Sequence, residues 1–207
     1  MFEGRGDQKE NIQAFLRILD PGDDATGGGT ASAVAGAMAA GLAGMVARLS
    51  MGGRGTEEEA YYRAIDREAR TLAADLFAGG RRDSEAFEAV QASRRLPAGT
   101  EQERGSRKAA IRRALIHATR IPLENGEACR RVLELCRRLE GRCNPNAASD
   151  LECAGHLARA GLLGCLANVE INLSSIKDER TAAALGEAAR ELRRYATTTH
   201  WTQEGKG

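Results

Sequence analysis

Gly27-Gly28-Gly29-Thr30, followed by the small-residue run from Ala31 to Leu49, is the stretch whose reading decides the fold. The run is built of Ala, Gly, Ser, Val, Met and Leu, and Arg48 is its only charge. Without a Cβ, the glycines can adopt positive φ or let another group approach the backbone. Thr30 reads as the N-cap of a helix whose first N–H groups are free, a geometry that favours anions. Taken alone the signal is also that of an ordinary loop, because the run is neither GxGxxG nor a Walker A sequence. Gly36, Ala40 and Gly44 are spaced by four and share one helix face. The run is long enough to span a membrane, but it is mostly Ala and Gly and lacks flanking Trp or Tyr anchors. It is read instead as a central helix buried in a bundle or at a subunit interface.

The rest of the chain supports an all-α protein. It has 207 residues, suited to one domain over 8–198, with tails at 1–7 and 199–207 expected to be flexible. Aromatics are 4%, so aliphatics and alanine must fill the core. Lys plus Arg is 30 and Asp plus Glu is 29, a formal charge of +1 that points to neither nucleic acid nor a membrane surface. Met1 to Asp7 holds no apolar h-region, and the five cysteines contain no CxxC. They are read as reduced thiols of a cytoplasmic protein.

A short amphipathic helix is expected over Ile12, Phe15, Leu16 and Leu19. Thr56 with Glu59, Thr100 with Glu103, and Ser149 with Glu152 read as three capping boxes. The first opens a helix to about Ala78, with Gly79-Gly80 a break or kink before the pattern resumes at Asp83. The second opens a helix that Pro122 should kink rather than end. The third opens another Ala/Gly/Leu-rich helix to about Ser174. A last helix is expected over roughly Thr181 to Tyr195. No alternating β-branched run suggests a strand.

Few residues suggest chemistry by pattern. His117, His156 and His200 are far apart and form no metal motif, so no metal site is expected. Cys129, Cys136 and Cys143 repeat every seven residues and read as buried apolar thiols on one helix stripe. Asp83 stands where a helical pattern resumes, and is either an acid complementing a helix dipole or a functional carboxylate. Asn144 to Asp150 is a polar loop running into a helix. Asn168 and Asn172 sit one turn apart on an apolar helix, and their amides need a partner, either another helix or a ligand.

These motifs, in this order, resemble the cyclodeaminase/cyclohydrolase family of folate one-carbon enzymes. Gly27 to Ser32 looks like its glycine loop and Asp83-Ser84-Glu85-Ala86-Phe87 is similar to its Asp-x-Glu-Ala-Phe motif. Arg95-Leu96-Pro97, Ile121-Pro122-Leu123, Gly141 to Asp150 and Asn168 to Leu173 match later landmarks, over roughly residues 10 to 195. The resemblance implies an all-α array whose long helix hairpin dimerises into a four-helix bundle, with a folate site near the subunit interface. It implies methenyltetrahydrofolate cyclohydrolase activity, with formimidoyltetrahydrofolate cyclodeaminase activity as the alternative and a degenerate folate- or protein-binding homodimer as a third reading. Asp83 falls on the proposed proton donor. Gly27, Gly28, Gly29, Thr30, Asn144, Asn146, Ser149, Asp150, Asn168 and Asn172 are the expected substrate contacts, with no cofactor beyond the folate substrate. The chain departs from the family where Ala25-Thr26 precede the glycines, where Gly52 to Thr56 replace a Lys-rich stretch, and at Ala98, where Lys is usual. Arg48, Arg54, Arg81 and Arg82 are the residues that could replace that charge.

Overall fold

The computed structural model describes residues 5–23 and 26–198; residues 1–4 of the expected tail at 1–7, and all of that at 199–207 with His200, lie outside the described residues. Six α-helices make up the described chain: α1 (Arg5–Ile18), α2 (Gly28–Leu49), α3 (Glu59–Arg94), α4 (Glu101–Leu139), α5 (Ala148–Leu173) and α6 (Glu179–Thr198). A 3-10 turn, Pro145–Ala147, leads into α5. The four helices α2 to α5 form a ring in which α2 packs on α3 and α5, and α4 packs on the same two. Helix α6 lies across α4 and α5, and α1 across α3 and α2.

Small residues set the spacing of this ring. Gly161 of α5 stands against the backbone of α2, where an added Cβ would lie 2.8 Å from Ser32 O and 3.1 Å from Gly36 N. Gly36 in turn receives Leu76 and Cys129, from α3 and α4. Gly44 faces Ala69 and Asp66 of α3. The Gly36/Ala40/Gly44 face therefore serves three neighbours rather than one. The leucines and valines of α3, α4 and α5 fill the remaining volume, with Leu72, Leu76, Leu133, Leu139 and Leu162 at 0–1% exposure. Among the described residues only α2 is long and apolar enough to cross a membrane, and 61% of its apolar window is buried inside the protein.

Several boundaries differ from the expectation. Helix α1 begins at Arg5, inside the stretch read as a flexible tail, because Gln8, Lys9 and Glu10 are good helix formers that carry the helix past its last apolar residue. Its apolar stripe is not buried: Ile12, Leu16 and Leu19 are exposed, and only Phe15 and Ile18 turn partly inward. Of the three capping boxes only Thr100/Glu103 forms, with both reciprocal bonds. Helix α3 starts after Glu58 with no side-chain cap, so the Thr56/Glu59 box is not made. The Ser149/Glu152 box also fails, because the 3-10 turn runs straight into α5 and leaves Ala147 at the cap position. The capping duty there moves to Asn144, whose side chain accepts from the Asn146 N–H at 3.0 Å.

Gly79 and Gly80 do not break α3, which runs continuously through both. Their purpose is clearance. A Cβ on Gly79 would collide with the Asn125 amide of α4, and one on Gly80 would press on Thr30 of α2 at 3.3 Å. Helix α4 likewise continues through Pro122. Cys129 and Cys136 are buried on its inner stripe as expected, while Cys143 lies past the helix end and is half-buried.

Candidate functional site

The site is built at the start of α2. Gly27 is the cap residue and makes no side-chain bond; the first ladder bond runs from the Ala31 N–H to Gly27 O at 3.2 Å. The N–H groups of Gly28, Gly29 and Thr30 therefore have no acceptor within the helix. Thr30 is not the N-cap read from the sequence. It sits inside the first turn, because the glycines ahead of it adopt helical geometry themselves.

What takes the cap's place is a carboxylate from another helix. Asp83 of α3 lies directly over Gly29, so that a Cβ there would stand 2.6 Å from Asp83 Cγ. The Thr30 N–H donates to this carboxylate, and Thr30 Oγ1 lies 3.4 Å from Asp83 Oδ2. The glycine is thus required by a side chain of this chain. Asp83 is partly exposed, whereas Thr30 and Ser84 beside it are buried. Burial pushes the Asp83 carboxyl up to about 6, and the bonds from the Thr30 hydroxyl and N–H oppose that rise. The α2 N-terminus favours the ionised form, yet desolvation wins. A carboxyl group so placed exchanges its proton near neutral pH and can act as acid or base.

Asn168 of α5 borders the same spot. Its Nδ2 donates to Gly164 O at 2.9 Å and would lie 3.5 Å from a Cβ on Gly28. Asn172 finds its partner on another helix, donating from Nδ2 to Ala118 O of α4 at 2.9 Å. Phe87, one turn beyond Asp83 on α3, is 41% exposed.

The Asn144–Asp150 segment lies elsewhere in the chain. Asn144 donates from its backbone N–H to Ser50 Oγ at 2.9 Å and from Nδ2 to Leu49 O at 3.1 Å, at the C-terminal end of α2. That end is roughly 30 Å from Gly28 at the α-helical rise per residue. Asn146 and Ser149 are exposed, and Asp150 is half-buried in the first turn of α5. Within one chain, then, Gly27 to Thr30, Asp83 and Asn168 come together, while Asn144, Asn146, Ser149 and Asp150 do not join them. The reason is that α2 separates the two groups by its whole length.

The arginines considered as replacements for the missing lysines are committed or remote. Arg48 pairs with Asp66, Arg81 with Glu85 at 2.8 Å and Glu10 at 3.5 Å, and Arg82 with Glu124 at 3.4 Å. Arg54 is exposed in the loop between α2 and α3. His117 and His156 are exposed, and no group of three potential metal ligands occurs among the described residues. Two open grooves, of about 620 and 360 Å³, flank α4 on the sides of α6 and α3, and Asp83 lines neither. Sequence reasoning missed Ser84 and Gly80 O as partners of Thr30. They lie 54 and 50 positions away, and no local pattern links them.

Fold and site together define an all-α protein with a desolvated carboxyl group held at a glycine-built helix start. The formiminotransferase-cyclodeaminase family matches residues 11–191, and the chain belongs to that family. It is 35% identical over 174 residues to the methenyltetrahydrofolate cyclohydrolase of Methylorubrum extorquens, covering 84% of each chain. It is 29% identical over 170 residues to the formimidoyltransferase-cyclodeaminase of Rattus norvegicus, covering 82% of this chain but only 31% of that longer protein. Among solved structures, the formiminotetrahydrofolate cyclodeaminase of Thermotoga maritima superposes with a TM-score of 0.76 at 27% identity, covering 90% of this chain and 88% of the other.

Proposed function

We propose that this protein is a methenyltetrahydrofolate cyclohydrolase, converting 5,10-methenyltetrahydrofolate and water to 10-formyltetrahydrofolate. The observation that carries the reading is Asp83, a carboxyl group raised to about 6 yet partly open to solvent. Its kinship with the M. extorquens protein, over most of both chains, favours this reaction within the family. In the reaction, water adds to the methenyl carbon while the Asp83 carboxylate takes its proton. The C–N5 bond then breaks as the same carboxyl group returns a proton to N5, and the new hydroxyl gives its proton to solvent as it becomes the formyl C=O. Free N–H groups at Gly28 and Gly29 and the Asn168 amide are placed to orient the pterin or a carboxylate. The reaction draws on no cofactor beyond the folate itself, and we place it in the cytoplasm.

Cyclodeaminase activity is the alternative, favoured by the likeness to the T. maritima cyclodeaminase. There N10 closes on the formimino carbon and Asp83 protonates the departing amine. Purified protein should speed the loss of methenyl-folate absorbance. Ammonia release from formimino-folate, with no such acceleration, would move the assignment to the cyclodeaminase. Folate binding without turnover of either would leave a degenerate binder.

We also propose a homodimer through the outer face of α2 and α5. Met38 of α2 and Ile171 of α5 are 49% and 70% exposed. Pairing these helices with those of a second copy would cover both side chains. Light scattering should give twice the chain mass at micromolar concentration; a monomer mass there would end the idea.

A further inference from the structure

Thr30 was expected to face the substrate, but its side chain is fully buried and surrounded by three oxygens of α3. Gly80 O lies at 3.1 Å from its Oγ1, Ser84 Oγ at 3.0 Å and Asp83 Oδ2 at 3.4 Å. A threonine hydroxyl has one proton to give and lone pairs to receive. The Gly80 carbonyl can only accept, and so can an ionised Asp83. Thr30 therefore cannot serve both at once. Ser84 can donate or accept, and this freedom closes the network in two ways. With Asp83 ionised, Thr30 donates to Asp83 and Ser84 donates to Thr30. With Asp83 protonated, its O–H donates to Thr30, and Thr30 donates to Gly80 O. The Gly80 carbonyl remains served by the α3 ladder in the first arrangement, so neither state leaves an orphan.

We propose that Thr30 and Ser84 form a two-state hydroxyl relay that solvates Asp83 in both of its charge states. Thr30 is on this view a positioning residue for the acid and not a substrate contact. The proposal rests on the acid/base role given to Asp83 above. A group that takes a proton in one step and returns it in the next needs partners for both forms, whereas a fixed donor would favour the carboxylate alone.

Few charges compete with the relay. The first turn of α2 carries no acid, and its one basic residue, Arg48, is in the last turn. On α3, Arg81 and Glu85 pair with each other and Arg82 pairs with Glu124 of α4. On α1, Glu10 is drawn to Arg81, and Arg17 is held by Asp23 and Glu88. From α5 come the neutral Asn168 amide and the Cys165 thiol, whose own proton the Asp83 charge helps to hold; Cys129 of α4 stands behind that thiol. Burial and the bonds from Thr30 are what set the proton affinity of Asp83.

The test uses the full chain with Thr30→Val, which keeps shape and removes the hydroxyl, Thr30→Ser, which restores it, and Ser84→Ala. Two readouts are taken: the acid limb of the pH–rate profile for methenyl-folate opening, and the titration of the Asp83 carboxyl by carbon NMR, assigned with Asp83→Asn. Thr30→Val should move both midpoints up by about one pH unit, Ser84→Ala in the same direction by less, and Thr30→Ser should titrate near wild type. An unmoved midpoint in Thr30→Val overturns the relay, and so does an unmoved midpoint in Ser84→Ala, since a lone Thr30 donor would shift with valine and be indifferent to Ser84. So does a Thr30→Ser shift as large as that of valine, which would make the effect one of shape. The NMR readout separates the two readings. A wild type that turns over no folate while Thr30→Val still shifts Asp83 removes the enzyme assignment and leaves the relay; normal turnover with no shift does the reverse.

Discussion

The two ends of α2 meet the same problem with opposite chemistry. At the C-terminal end every group is closed off by neutral partners: Ser50 Oγ donates to Val46 O at 2.7 Å, Asn144 reaches both Ser50 and Leu49, and the Gly55 N–H donates to Ser50 O at 3.0 Å. At the N-terminal end the Gly28 and Gly29 N–H groups have no acceptor in the helix, and the Thr30 N–H is taken by an ionisable acid from α3. One end is sealed and cannot titrate. The other keeps a desolvated carboxyl group next to the open Gly28 and Gly29 N–H groups, an arrangement that costs stability and leaves the group titratable near neutral pH. The comparison teaches that the same helix can be closed at one end and titratable at the other, according to whether its terminus meets a neutral amide or a desolvated acid.

The largest break in that contrast comes from Asp83→Asn. It keeps the shape of the side chain and removes the titrating proton, so kcat should fall by about 10²- to 10⁴-fold with the helical circular dichroism unchanged. Full turnover on both methenyl- and formimino-folate would remove Asp83 from the chemistry. Next is Gly29→Ala, whose methyl group would displace the Asp83 carboxylate. It should lower turnover and cost about 1–3 kcal/mol of stability by denaturant titration. Gly161→Ala, which presses on the α2 backbone away from the acid, should cost a similar amount and change kcat far less.

Proton linkage sharpens the contrast. Asp83 binds its proton at about 6 in the folded chain, against 3.8 for an ordinary aspartate. Between those values the folded state holds a proton the unfolded chain has released, so stability falls as pH rises through that window. Asp83→Asn lacks this dependence. Its Tm relative to wild type should therefore climb from about pH 4 to about pH 6 and then level off; a flat difference would mean the acid is not desolvated. At the sealed end, Asn144→Ala removes the bonds to Leu49 O and Asn146 and should cost about 0.5–1.5 kcal/mol. If its kcat also drops sharply, Asn144 serves the site through a second copy of the chain. The smallest effect is expected for His117→Ala, an exposed side chain, which should leave both Tm and turnover at wild-type values.

Much of the fold was determined by the sequence alone. The 3.6-residue periodicity, the Thr100/Glu103 box and the bulk-free run after Gly29 are local signals, and local signals suffice to place helices and name the central one. The glycines ahead of the helix were legible locally, whereas Asp83 was singled out as functional only by the family resemblance. What only the tertiary structure decided is which group each of these meets. Gly79-Gly80 looks like a break until Asn125 and Thr30 are seen to need the room. Thr30 looks like a cap until α3 is laid across it, and Asn144 to Asp150 looks like part of the site until the length of α2 is placed between them. A glycine's missing Cβ and a hydroxyl's single proton have no preferred partner in the chain order. Their meaning is fixed by neighbours some 50 to 95 positions away, which packing alone brings within hydrogen-bond reach.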